Sequence, residues 1–369
     1  MSASTSAKIY RGTPRNLALL ARALTAGEVV AVPTETVYGL AGDALNTAAV
    51  KKIFRAKGRP TNDPLIVHIH SLAQLDQLAE RNAAVEKIAR AFWPGPLTLI
   101  LPKKPVVPDL VTSGRPSVAI RMPNHPLFRK LLRDCGRPLA APSANPFGYV
   151  SPTTAAHVLD GLGRKIRYIL DGGSCAIGVE STILDLRDPK RPAILRPGAI
   201  EGRAIERVLR VPVKAFDAKP QPANTASIAP GLLTRHYSPR TPVELRDQLP
   251  PPSEVERALR ARLPVSDAKR PTPSHNTPGR RVPPHELPPA TDAFLYFRRP
   301  AEFVKTSAPK NIFWLTQNGD LRAAAKALFA SLRKLDAGRW IKIHAEQAPG
   351  DNALALAIND RLTRAAAKR

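Results

Sequence analysis

Residues 28–70 read EVVAVPTETVYGLAGDALNTAAVKKIFRAKGRPTNDPLIVHIH. The β-branched run EVVAV stops at Pro33, which cannot donate to a sheet ladder. NTAAVKKIFRAKG then has helical spacing, with Asn46 placed as N-cap and Gly58 just past the end. PLIVHIH, residues 64–70, returns to strand character. Strand, helix and strand in this order predict an α/β domain. The alternation continues in both directions. Upstream, NLALLARALTAG (16–27) is a helix stopped by Gly27; downstream, SLAQLDQLAE (71–80) opens with Ser71 and Gln74 at capping-box spacing. PLTLILP (96–102), SVAIRMP (117–123), RPLAAPSAN (137–145), RYILDGG (167–173) and STILDL (181–186) are further strand candidates. Short runs of this kind, interleaved with helices, predict a twisted mixed sheet covered by helices over residues 10–212.

The chain has 369 residues and 39 prolines, eleven of them between Pro250 and Pro289. That length suggests two domains, because single cores stop growing near ~250–300 residues. The Pro-rich, basic stretch RLPVSDAKRPTPSHNTPGRRVPPHELPPATD lacks apolar periodicity and predicts an extended, mobile insert at about 250–291. Beyond it, DLRAAAKALFASLRKLDAG, WIKIHAE and INDRLTRAAAKR read as helix, strand and helix of a smaller α/β unit. Residues 213–240 are then a linker, and 241–369 a second domain carrying the insert.

The formal charge of +26 points to polyanionic partners, although basic residues spread along the chain also fit an Arg- and Ala-rich composition. Aromatic residues are only 5%, too few for a single-strand stacking platform. Cys135 and Cys175 are too few for a disulfide framework and are expected to be buried and inert in a reducing cytoplasm. No apolar run approaches the ~20 residues that cross a bilayer, and MSASTSAKIYRGTPRN carries no signal-peptide core, so no membrane partner is expected.

Common nucleotide motifs are absent. GSCAIGVES has Gly173 and Gly178 at P-loop spacing, but Val179 and Glu180 stand where Lys and Ser/Thr are required. Phosphates would have to be held otherwise. In AKGRPTNDPLIVH, Lys57 and Arg59 leave a helix two residues apart and could clamp a triphosphate on one side of an extended backbone. They read equally as the solvated basic end of a helix. RPLAAPSAN delivers Ser143 and Asn145, neutral hydrogen-bonding groups, at a strand tip. Ser151, Pro152, Thr153 and Thr154 then open a helix whose N–H groups could bind an anion or simply be capped. Arg121, alone in SVAIRMP, needs a carboxylate: a substrate's, Glu35 or Glu180. His68 and His70 share a strand face, but two histidines are a weak metal signal, and no protein-held metal is expected.

In order, PTETVYGL, KGRPTNDPLIVHI, WPGPLTLIL, SVAIRMP, APSAN, SPT, GVESTI, ILRPGAI and APGLLTRHYSP resemble the Sua5/YciO/YrdC family. The C-terminal helices resemble its two-domain, Sua5-type members, the L-threonylcarbamoyladenylate synthases. The resemblance implies a YrdC-like sheet around a concave basic cavity, plus a Rossmann-like second domain. It also implies that L-threonine, bicarbonate or CO₂, and ATP with Mg²⁺ give threonylcarbamoyl-AMP for the t6A modification at position 37 of tRNA. Carried over by motif, Lys57, Arg59, Ser143 and Asn145 would line the phosphate site. Arg59, Asp63, Ser117, Ser143, Ser151, Arg196 and Tyr237 would contact ATP. Thr36, His68, Arg121, Ala141 and Ser181 would surround threonine. Asp63 stands where family members often have Asn, and residues 213–240 would fold over the site as a lid. The t6A transferase machinery and tRNA would be indirect partners. Lys57 and Arg59 are expected on a loop, so that alanine at either would stop turnover and spare the fold. Two other readings compete: an RNA-binding module using the basic cavity, and a carbamoyl-phosphate-handling module, whose zinc-finger and acylphosphatase segments this chain lacks.

Overall fold

The computed structural model describes residues 6–217, 227–261, 291–338 and 340–367. Ten strands make the first sheet: β1 (Lys8–Arg11), β2 (Val30–Val32), β3 (Gly39–Asp43), β4 (Ile66–His68), β5 (Leu97–Pro102), β6 (Ser117–Arg121), β7 (Leu139–Ala140), β8 (Tyr168–Asp171), β9 (Thr182–Asp185) and β10 (Ala193–Arg196). Their order is β1-β8-β2-β3-β7-β4-β6-β5-β9-β10, with parallel pairs such as β4–β6 and antiparallel ones such as β2–β3. The sheet is mixed, as the sequence pattern predicts.

Helices α1 (Pro14–Thr25), α2 (Thr47–Lys57), α3 (Leu72–Leu78), α4 (Ala83–Phe92), α5 (Asp109–Thr112), α6 (Pro126–Cys135), α7 (Ala155–Leu162) and α8 (Gly202–Leu209) surround it. Strand alternation decides which helix meets which face. Ala31 of β2 joins Val50 and Ile53 of α2, Leu75 of α3 and Val158 of α7 in the larger core. Its neighbours Val30 and Val32 point the other way, onto Leu20 and Leu24 of α1 and Phe128 and Leu132 of α6. Local signals set the helix ends. The Asn46 side chain accepts from the N–H groups of Ala48 and Ala49, and Gly58 closes α2 at φ 65°. Ser71 accepts from the N–H of Gln74, but the Gln74 side chain reaches back to His70 N–H, one residue earlier than a capping box requires.

The second sheet, β11 (Val243–Arg246), β12 (Ala293–Arg298), β13 (Ile312–Thr316) and β14 (Ile343–Glu346), is wholly parallel in the order β11-β14-β12-β13. Helices α9 (Pro252–Ala261), α10 (Leu321–Asp336) and α11 (Ala353–Ala366) belong with it. Leu328, Phe329 and Leu332 of α10 and Ile358 and Leu362 of α11 pack on Leu295 and Ile343. Val37, Val150, Val179 and Tyr237 join this same cluster, so apolar packing is continuous between the two sheets.

Three sequence expectations change. The 137–145 strand shrinks to Leu139–Ala140, because Pro138 and Pro142 bracket it and neither can donate to a ladder. The start of the expected insert is helical: α9 occupies Pro252–Ala261 and buries Val255. The rest of that Pro-rich stretch, 262–290, lies outside the described residues. Strands β11, β12 and β13, which the sequence reading did not single out, complete the second sheet.

Candidate active site

On β4, β5, β6 and β9, alternate side chains leave the helix-covered core. Val67, Leu99, Ile120 and Leu184 face inward to it. Ile66, Ile100, Ala119 and Ile183 face the opposite side, where Ala229 and Leu232 of the connection between the two sheets pack on them. A strap of chain, not a helix, therefore covers this face, and a cleft remains beneath it. His68 and Arg121 share the cleft and lie opposite each other in the β4–β6 register.

Residues 33–38, joining β2 to β3, form its rim. Thr34 Oγ1 accepts from the N–H groups of Thr36 and Val37 at 3.0 and 3.1 Å and lies 2.8 Å from Thr36 Oγ1. This turn fixes the Thr36 hydroxyl, which accepts from Arg121 Nη1 at 2.9 Å. Glu35 Oε1 lies 2.7 Å from Arg121 Nη2, and both side chains are at least nine-tenths buried. Of the carboxylates the sequence offered to Arg121, Glu35 is thus its partner. Neither Glu35 oxygen nor Arg121 Nη2 has an aligned hydrogen bond among the described residues. Thr98 Oγ1 lies 2.8 Å from Ser181 Oγ on the neighbouring strands.

The opposite end is cationic. Arg59 pairs with Asp63 Oδ2 at 2.9 Å, without an aligned hydrogen bond, and donates to the carbonyls of Asp63 and Pro64 at 3.0 and 2.7 Å. Arg196 donates to the Ser181 carbonyl at 3.1 Å from both Nε and Nη2, and to the Pro230 carbonyl at 3.1 Å. Lys57 Nζ donates to the carbonyls of Ser143 and Asn145 at 2.6 Å each. Lys57 and Arg59 are only 2% and 7% exposed, which overturns the solvated-end reading and the expectation that both stand clear of the core; Lys57 ends α2, while Arg59 does lie on the loop after it. Because α2 runs through Lys57 and Gly58 is left-handed, the backbone between the two cations is not extended.

The cleft leaves about 50 Å³ for water-sized spheres between its walls, well below the ~300–1,000 Å³ usual for ligand sites. Of the sequence candidates, Thr36, Arg59, His68, Arg121, Ala141, Ser143, Ser181, Arg196 and Tyr237 line it. Lys57, Asp63, Ser117, Asn145 and Ser151 do not. Lys57 and Asn145 brace the Ser143 loop, and Asp63 is the counter-ion of Arg59. Ser117 begins the strand that Arg121 ends, ~13 Å away at ordinary strand rise. The Ser151 hydroxyl donates to Glu180 Oε1 at 2.7 Å. At the next helix, Thr154 takes the N–H of His157, so capping wins there over an anion site.

Glu180, which the sequence offers only as a partner for Arg121, and His236, to which it gives no role, also line the cleft. Their signal was adjacency, since Glu180 precedes Ser181 and His236 precedes Tyr237 in quoted motifs. Gly231 explains how closely the strap approaches. At φ 79°, a Cβ there would stand 2.7 Å from Tyr237 Oη and 2.9 Å from Arg196 Nη1.

A family model described as telomere recombination, of the Sua5, YciO and YrdC group, matches residues 22–198. A second, described as the threonylcarbamoyl-AMP synthase C-terminal domain, matches residues 200–367. The threonylcarbamoyl-AMP synthase of Bacillus subtilis (strain 168) is 40% identical over 357 residues, 96% of this chain and 93% of that protein. The chain belongs to the Sua5-type threonylcarbamoyl-AMP synthase family. The Pyrococcus abyssi (strain GE5 / Orsay) enzyme of the same name is 49% identical over 218 residues, 59% of this chain and 64% of that protein. A crystal structure of P. abyssi Sua5 complexed with L-threonine superposes with a TM-score of 0.80 at 34% identity, covering 97% of each chain.

Burial governs the electrostatics of this Sua5-type cleft. It holds the Lys57 ammonium well below its ordinary pKa, and the Arg59 cation adds to the effect. It raises Asp63, against the opposing pull of Arg59 and Lys57. The Cys175 thiol is pushed up to about 12 by burial, which keeps it protonated and without nucleophilic character. Burial, then Arg121, brings His68 down to about 3. A histidine that titrates near ~6.5 when unfolded thus binds its proton later in the folded state. Below that pH the unfolded chain holds more protons, and stability falls by up to ~1.4 kcal/mol per pH unit as pH drops toward about 3. By pH ~5 His68 should have removed about 2 kcal/mol. Urea denaturation at pH 7.5 and 5 measures this. His68→Gln should lose about 2 kcal/mol less on acidification, and an equal loss in both chains would contradict it.

Proposed function

We propose that the protein condenses L-threonine, bicarbonate or CO₂, and ATP into threonylcarbamoyl-AMP and pyrophosphate. The observation that carries this reading is one cleft with two differently built ends. Arg121, Thr36 and His68 gather at one, and Arg59, Arg196 and Tyr237 at the other, with Ser181 between them, its hydroxyl 2.8 Å from Thr98 Oγ1 and 3.2 Å from Arg196 Nη2. The threonine amine and bicarbonate form a carbamate and release water. A carbamate oxygen then attacks the α-phosphorus of ATP, the bond to the β-phosphate oxygen breaks, and pyrophosphate leaves. ATP enters as its Mg²⁺ complex, with the ion belonging to the substrate. Such a step needs positioning and charge neutralisation more than a protein nucleophile.

In this reading Arg121 takes the threonine carboxylate, next to its present counter-ion Glu35. Arg59 and Arg196 face the phosphates, with Ser143 held at that end by the Lys57 brace. Asp63, Ser117 and Ser151, which do not line the cleft as it stands, are the remaining residues assigned to ATP in this reading. The strap of residues 227–240 gates the cleft. The product serves t6A formation at position 37 of tRNA through the transferase machinery, which puts the protein in the cytoplasm. Among the described residues no helix is long and apolar enough to cross a membrane.

Pyrophosphate release from ATP tests the reading, with threonine and bicarbonate omitted in turn. Release that requires both is expected. Release indifferent to threonine, or none under any combination, would refute it and leave salt-dependent tRNA binding as the next measurement.

A further inference from the structure

Helix α11 belongs to the second sheet, yet one of its side chains touches three walls of the cleft. Arg361 is fully buried. Its Nε donates to Glu180 Oε2 at 3.0 Å and its Nη1 to the Pro197 carbonyl at 2.8 Å. Its guanidinium stands 5.6 Å from the Tyr237 ring centroid. Glu180 and Tyr237 line the cleft, and Pro197 directly follows Arg196, which does too. Asp360 completes the charge balance, 3.1 Å from Arg361 Nη1.

One turn further along α11, Arg364 ties down the strap itself. Its Nη1 donates to the carbonyls of Leu232 and Leu233 at 3.0 and 2.6 Å. Its own carbonyl accepts from His236 N–H at 3.4 Å and from the Ser238 hydroxyl at 3.3 Å. The strap therefore meets the sheet on one side and α11 on the other.

We infer that Arg361 is a positioning residue for nucleotide binding: the second domain reaches across through α11 and sets Glu180, the Arg196–Pro197 turn and Tyr237 in one arrangement. This rests on the proposed function for what the cleft holds. A guanidinium suits the task because its planar fork serves a carboxylate and a carbonyl at once, and its face meets an aromatic ring. An ammonium keeps the charge but has neither the planar fork nor a flat face to set against the Tyr237 ring. Arg361 does not line the cleft, so its effect on nucleotide passes through these three residues.

The test compares Arg361→Lys and Arg361→Met in the full chain with the unaltered protein. It reads KM for ATP, KM for threonine, kcat, and affinity for a non-hydrolysable ATP analogue by calorimetry. Arg361→Lys keeps the buried charge, and so the fold, and should raise KM for ATP about tenfold. KM for threonine should stay within about twofold. Arg361→Met should lower kcat/KM for ATP on the order of 10²-fold. Adding Glu180→Gln to Arg361→Met removes the stranded carboxylate and should recover part of the folded fraction, not the nucleotide affinity. A merely structural role would lower kcat through the active fraction and leave both KM values unchanged. Unchanged KM for ATP in Arg361→Lys, or equal rises in both KM values, would overturn the inference even if Arg361→Met fails to fold. If the unaltered chain binds the analogue but releases no pyrophosphate, the proposed reaction fails, and the loss of analogue affinity in Arg361→Lys still decides the role of Arg361. Absence of analogue binding in the unaltered chain overturns both.

Discussion

Lys57→Met should stop pyrophosphate release and also destabilise the protein. The methionine keeps most of the side-chain volume but removes the ammonium that binds the Ser143 and Asn145 carbonyls at 2.6 Å. Lys57 is 2% exposed, so water cannot readily replace the lost donors. Two weakened buried carbonyls at about 1–3 kcal/mol each give an expected loss of ~2–6 kcal/mol, less whatever the relief of the ammonium's desolvation and of Lys57–Arg59 repulsion returns. Turnover should fall by about 10²-fold or more, because Ser143 sits on the cleft wall and its loop would no longer be fixed. Urea denaturation and pyrophosphate release on the same preparation check both parts. A variant with unchanged stability and lost turnover would mean that Lys57 acts on substrate directly and not as a brace.

Arg121→Ala should act mainly through threonine. The guanidinium holds the Thr36 hydroxyl at 2.9 Å and Glu35 at 2.7 Å at the end of β6. Truncating a buried charged partner costs about 2–5 kcal/mol of binding, so KM for threonine should rise by ~30-fold or more, with KM for ATP much less affected. The same truncation strands Glu35 in a buried site, at a stability cost of about 3–5 kcal/mol. Combining it with Glu35→Gln removes that charge. The double variant should recover stability without recovering threonine affinity. Steady-state kinetics with each substrate varied, together with thermal melts, separate the two effects. Recovery of threonine affinity in the double variant would show that Arg121 serves only to neutralise Glu35.

Much of this site was legible from motif order. Ser143, Arg121, His68 and Tyr237 were named from quoted segments, and all line the cleft. The alternation in LIVHIH and SVAIR marked which residues share a strand face, and that face became the cleft. Burial was not legible. AKGR looked like a basic helix end because the dipole favours cations there. Nothing local says that the loop carrying Ser143 and Asn145, some 86 residues later, brings two carbonyls onto Lys57. Arg121 likewise had Glu35 and Glu180 as equal candidates, until topology placed one beside it and gave the other to Arg361.

The sequence by itself determined many of the elements, several caps and the two faces of the strands it marked, because these depend on residues within a turn or two of one another; β11, β12, β13 and α9 were not legible at that range. Asn46, Gly58, Ser71 and Pro33 act at that range, and so does the period of two along a strand. Tertiary structure alone decided which face stays open, what covers it, and which charges neutralise one another. Those outcomes depend on groups far apart in the chain, such as Glu180 and Arg361, 181 residues distant. A buried charge is tolerated only where a partner arrives in space, and that meeting is a property of the assembled fold.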